Sequence, residues 1–156
     1  MVATLRGQFV ATPVQSLLAT GAGFISSLYK DGTDQVLVRD YVTMQGNLMG
    51  DVISLCVLKS TALIDPYRSW IVNDACGASV RLRVGDVNFP TAGLVSPIGL
   101  TAAGRATPFK GVAQRLWQWL GYASDPGGNI ELLGTIIGAN PTDGASIGWA
   151  FFGRNL

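Results

Sequence analysis

The sequence predicts an all-β protein, an antiparallel sandwich or barrel, on three observations. Runs of about six to eight residues rich in β-branched and aromatic side chains recur along the chain, bounded by clusters of Gly, Pro, Asn or Asp. Residues 79–84 alternate strictly, so Val80, Leu82 and Val84 face inward while Arg81 and Arg83 face outward from a pleated strand. Stretches with a helical period are few, which leaves sheets to build the core.

The elements follow in order. Residues 1–34 are dominated by Thr, Ser, Ala, Gly and Gln without a strict period, and are expected as an irregular N-terminal arm that gains order by lying on a neighbour. The plainer alternative is a short strand over residues 8–11 and a helical turn over 14–19. Lys30, Asp31, Gly32, Thr33 and Asp34 make a polar turn. The sandwich domain, residues 35–156, then opens with a strand over 35–42, where β-branched residues and Tyr41 favour extension. Gly50 and Asp51 precede a run over 52–58 that is apolar on nearly both faces, as in a central strand covered on both sides.

A segment over 62–64 is broken by Asp65 and Pro66, after which 67–72 resumes as strand with Trp70 as the heaviest packing residue. Residues 73–77 turn into the alternating strand, which Gly85 and Asp86 end. No charge falls between Val87 and Gly104, and Pro90, Pro97 and the glycines there forbid long regular elements. A buried or partner-covered loop with one short strand fits that stretch. Residues 114–120 read as a helical turn or as a strand; in a strand, Leu116, Gln118 and Leu120 share one face and Arg115, Trp117 and Trp119 the other. Turn chemistry at 125–129 and 140–144 brackets strands over 130–137 and 145–152. Phe151 and Phe152 are adjacent, so one fills the core while the other needs a second covering layer or a neighbour. The same logic applies to Ile136 and Ile137.

Composition bears on function. Hydrophobic residues make up 48% of the chain and charged residues 13%, against about a quarter charged in ordinary soluble domains. Mean hydropathy is +0.33. Much of the outer surface is therefore expected to be covered by other protein. Net charge is +1, with eight Arg and three Lys against nine Asp and one Glu, so no strong field draws in nucleic acid directly. Arginine in excess of lysine suits contacts between subunits, and equally ordinary surface pairing. Cys56 and Cys76 match no disulfide framework or zinc spacing, and are expected as buried free thiols. Residues 7–29 lack charge but are diluted by Gln, Pro and Gly, so neither a membrane span nor a signal peptide is indicated.

Chemistry finds little footing. Without histidine, Ser-His and Cys-His nucleophile systems and histidine-containing zinc sites are excluded. Glu131 is the only glutamate, and the aspartates mostly sit beside Gly or Pro in turns, where they cap backbone amides. Residues 31–34 lack the spacing of a calcium loop, and Gly21-Ala22-Gly23 lacks the third glycine of a dinucleotide fingerprint. The chain is expected not to be an enzyme and to carry no metal or cofactor. Trp117, Trp119 and Tyr122 have three readings: core packing of at least one ring, a protein anchor, or a platform for sugar rings.

The series Gly50-Asp51-Val52-Ile53-Ser54-Leu55, Trp70-Ile71-Val72-Asn73-Asp74, Ala78-Ser79-Val80-Arg81-Leu82-Arg83-Val84-Gly85-Asp86 and Ile130-Glu131-Leu132-Leu133 resembles small virion proteins of tailed bacteriophages that decorate or cement the head. The likeness runs from Gly50 to the C-terminus and leaves the N-terminal third unmatched. It implies a jelly-roll-like β-sandwich that binds the outside of the head across junctions between major capsid protein subunits. The expected location is the capsid surface of a virion assembled in the host cytoplasm, with no membrane or direct nucleic-acid partner. A homo-oligomer is expected, a dimer before a trimer. Candidate partner contacts are Gln8, Phe9 and Val10 in the arm, Arg81 and Arg83 on an outward strand face, and Trp117 and Trp119. The alternatives are a tail or baseplate structural protein, with residues 87–104 as its loop, and a carbohydrate-binding receptor-recognition module using Trp117, Trp119 and Tyr122.

Overall fold

The alternating runs become two packed sheets. The structure, a computed structural model, describes residues 4–6, 35–88, 97–109 and 111–154. Among them the first sheet takes the order β1 (Thr4–Arg6), β3 (Val52–Lys59), β10 (Asn129–Ile137), β6 (Arg81–Gly85), β7 (Ile98–Gly99). The second takes β8 (Gly104–Ala106), β5 (Trp70–Asn73), β11 (Ser146–Arg154), β4 (Leu63–Ile64), β9 (Gln114–Arg115), with β2 (Gln35–Thr43) along the other side of β11. Every described pairing is antiparallel except β1 with β3. An all-β sandwich is thus observed, and residues 4–6 of the expected arm belong to its first sheet. Gln8, Phe9 and Val10, with the strand and helical turn considered over 8–19, lie outside the described residues.

The core lies between the sheets. Ile53, Leu55, Leu82, Leu132 and Ile136 of the first sheet meet Ile71, Ile147, Trp149 and Phe151 of the second, all fully buried. Val80, Leu82 and Val84 point inward as expected, with Arg81 exposed between them.

Three elements differ from expectation, each for a local reason. The four successive buried residues of β3 have two causes: a β-bulge brings both Leu55 and Cys56 into the core, and Ser54 is covered on the outer side. Leu132 pairs with Cys56 and Leu133 with Ser54, so Leu55 is an extra residue with no ladder partner of its own. Alternation resumes out of phase at exposed Val57 and buried Leu58. Ser54, sealed on the outer side, donates its hydroxyl proton to the Glu131 carboxylate.

The strand expected over 67–72 begins only at Trp70. The Asp65 carboxylate accepts the amides of Tyr67 (2.8 Å) and Arg68 (3.2 Å), and the Ser69 hydroxyl donates to the Asp65 carbonyl at 2.6 Å. That clamp holds 66–68 as a turn and leaves Tyr67 80% exposed. Trp70 is half-buried, and Trp149 is the heaviest side chain in the core.

The segment over 114–120 is part strand and part helix: β9 runs directly into α1 (Leu116–Leu120). The Gln118 side chain accepts the Arg115 amide at 3.0 Å, and Gly121 ends the helix at φ 86°, a conformation that glycine adopts without strain. Leu116, Trp119 and Leu120 face the core at helical spacing. Phe109 meets the Trp119 ring edge-on at 5.2 Å and Phe151 at 5.5 Å.

Cys56 and Cys76 are buried free thiols, and that of Cys76 donates to the Asp74 carbonyl at 3.3 Å. Burial, then the Glu131 carboxylate, pushes the Cys56 thiol well above its usual range, and burial, then Asp74, raises the Cys76 thiol. A thiol without thiolate character and without access is unreactive. Titration of native protein with an aromatic disulfide reagent is therefore expected to find neither cysteine within minutes, and both after denaturation. Rapid reaction of either in the native state would contradict this burial.

Candidate interface

The outer face of the second sheet carries an organised group of aromatic and basic side chains. On β11, Ile147, Trp149 and Phe151 point into the core, so Gly148, Ala150 and Phe152 point out. Register then fixes three transverse rows. Gly148 lies between Tyr41 of β2 and Val72 of β5, and Val72 lies opposite Arg105 of β8. Ala150 lies between Arg39 and Trp70, and Phe152 beside Val36. Val36, Tyr41 and Val72 are exposed.

Small residues at the centre allow the larger ones to converge. A Cβ on Gly148 would come within 3.2 Å of Val72 Cγ1, so a larger residue there would push Val72 aside by a few tenths of an ångström, while 3.6 Å to Tyr41 Cβ is ordinary contact. Two arginines sit over the aromatics. Arg105 sits 5.1 Å from the Trp70 ring centre, and Arg68, from the turn clamped by Asp65, sits 4.9 Å from that of Phe152. Aromatic residues and arginine are the types enriched in protein interfaces. With strands about 4.8 Å apart, four strands and three rows give a patch of a few hundred Å². One such patch makes a weak contact.

Among the described residues β2 is an edge of this sheet, and it is guarded against strand addition. Leu37 forms a second β-bulge, since Phe151 pairs with Val38 and Phe152 with Val36. Asp40, inward by alternation, is buried. A bulge and an inward charge are both devices that keep an edge from pairing with another chain. Contact is therefore expected through the face and not by extension of the sheet.

The other candidates lie elsewhere. Arg81 (exposed) and Arg83 (half-buried) sit on the outer face of the first sheet, on the far side of the sandwich. Trp119 is only 6% exposed and belongs to the core, while Trp117 is half-buried and packs against it. Core packing of at least one of these rings is what the structure shows. Tyr122 is half-buried, and its hydroxyl donates to Asp86 and accepts from Asn88 at 2.8 Å. The three rings do not form one exposed platform.

Tyr122, Asp86, Asn88 and Glu131 border a pocket of about 190 Å³ beside β10. Burial, then the Asp86 carboxylate, raises the Tyr122 phenol above its usual range, so it stays protonated and donates. This group ties the end of β6 to the chain after α1. Among the described residues no cluster of three or more potential metal ligands occurs, and no helix is long and apolar enough to cross a membrane.

The aromatic and arginine face escaped the sequence reading because its members come from four strands far apart in the chain. One signal was present: the Phe151-Phe152 pair requires cover on both sides of the last strand.

No family model matches this chain, and no curated protein matches it. Among solved structures it is similar to a chain of the cyanophage Pam1 capsid asymmetric unit, with 18% identity and a TM-score of 0.54 over 80% of this chain and 86% of that one. At that identity the likeness is one of fold.

Proposed function

We propose that this protein is a structural component of a tailed-phage virion. It binds the outside of the head and cements junctions between major capsid protein subunits, with no catalytic turnover. The observation that carries this reading is the likeness in fold to a chain of a phage capsid, which extends over most of both chains. The low charge and the apolar, arginine-framed face of the second sheet support it independently. A patch this small becomes effective when it is repeated over a shell, because linked weak contacts multiply. Self-association into a symmetric oligomer, with two-fold closure as the common solution, would add to that avidity.

The test is loading. Purified protein is mixed with heads built from the major capsid protein alone, and bound protein is measured by sedimentation. Saturation at a fixed copy number per shell is expected. Protein that remains in the supernatant at every concentration, with heads in either their compact or their expanded form, would overturn the proposal.

A further inference from the structure

We propose that the outer face of the second sheet docks on a carboxylate-bearing surface of a different protein, and not on a second copy of this chain. The inference rests on the function proposed above and names the chemistry of the partner. Arg39, Arg68 and Arg105 frame the apolar rows, and the rows themselves contain no acidic residue. Arg39 and Arg105 are exposed, and no described carboxylate forms an ion pair with either. An exposed guanidinium brings several N–H donors to the surface, which match a carboxylate on an approaching protein.

The described carboxylates of a second copy are buried or already engaged within their own chain. Asp40, Asp51 and Asp86 are buried. Asp65, Asp74, Asp125 and Asp143 each accept a backbone amide in a turn. Glu131 stands on the opposite sheet and accepts from Ser54. Asp31 and Asp34 lie outside the described residues. Charge complementarity therefore points to another polypeptide, with carboxylates placed beside apolar side chains.

The experiment compares wild type with Arg39→Glu/Arg105→Glu and with Arg39→Gln/Arg105→Gln. Loading on heads is read by sedimentation and the oligomeric state of the free protein by analytical ultracentrifugation. Both residues are exposed, and an unchanged melting curve certifies each variant. The expected result is a loss of loading of at least about tenfold, larger for Glu than for Gln, with self-association unchanged. Wild-type loading should weaken as salt rises, and amidation of the carboxylates on the heads should abolish it. Undiminished loading of both variants overturns the inference while leaving the proposed function standing; failure of wild type to load overturns the function itself. Loss of self-association in place of loading would assign the face to a second copy. Oligonucleotide binding that the Glu variant removes would assign it to nucleic acid.

Discussion

Trp149→Ala is expected to lower the unfolding free energy by about 4 kcal/mol. The indole is fully buried at the centre of the second sheet, and its Nε1 donates to the Leu55 carbonyl at 2.8 Å. Leu55 is the bulged residue of β3, without a ladder partner, so this bond joins one sheet to the irregular point of the other. Truncation removes the buried ring, leaves a cavity and orphans a buried carbonyl. Against a total stability of about 5–15 kcal/mol, that loss brings the fold near its limit. Trp149→Phe separates the contributions: it retains most of the packing and still loses the hydrogen bond, for an expected cost of about 1–3 kcal/mol. Urea unfolding with an unchanged m-value measures both. A Trp149→Ala midpoint close to that of wild type would show that the sheets are held together elsewhere.

Trp70→Ala is expected to leave the fold standing and to weaken attachment to the shell by about 30-fold per site. The ring lies half-buried on the outer face beside Ala150, with Arg105 over it. Its removal takes away apolar contact area and the ring face over which Arg105 sits. Anchors of this kind are worth about 2 kcal/mol or more, and that amount corresponds to about 30-fold in affinity. Repetition over a shell enlarges the effect on loading. The paired control is Arg81→Ala/Arg83→Ala on the opposite sheet, which is expected to load as wild type does. Reversal of the two outcomes would place the first sheet against the shell.

Local features of the fold were legible in the sequence, and features that depend on distant pairing were not. Val80, Leu82 and Val84 declare their face because a strand's period of two is visible within five residues. The turn at 125–129 is readable from Pro126, Gly127 and Gly128 alone. The bulge at Leu55 is not, because it arises from the register that β10 imposes on β3. Over 114–120 the two periods are indistinguishable in so few residues, and tertiary burial of Leu116, Trp119 and Leu120 selects the helix. Tyr67 reads as strand by propensity, but the carboxylate of Asp65 captures its amide first. The interface was least legible, since Arg39, Trp70, Arg105 and Phe152 share no segment of chain and meet only through pairing of β2, β5 and β8 around β11.

A reconstruction by electron cryomicroscopy of heads carrying this protein would show which sheet faces the shell. Density for the shell is expected against Tyr41, Trp70, Val72 and Arg105, with the outer face of the first sheet turned to solvent. Density showing those four residues open to solvent, and Arg81 and Arg83 against the shell, would contradict this placement.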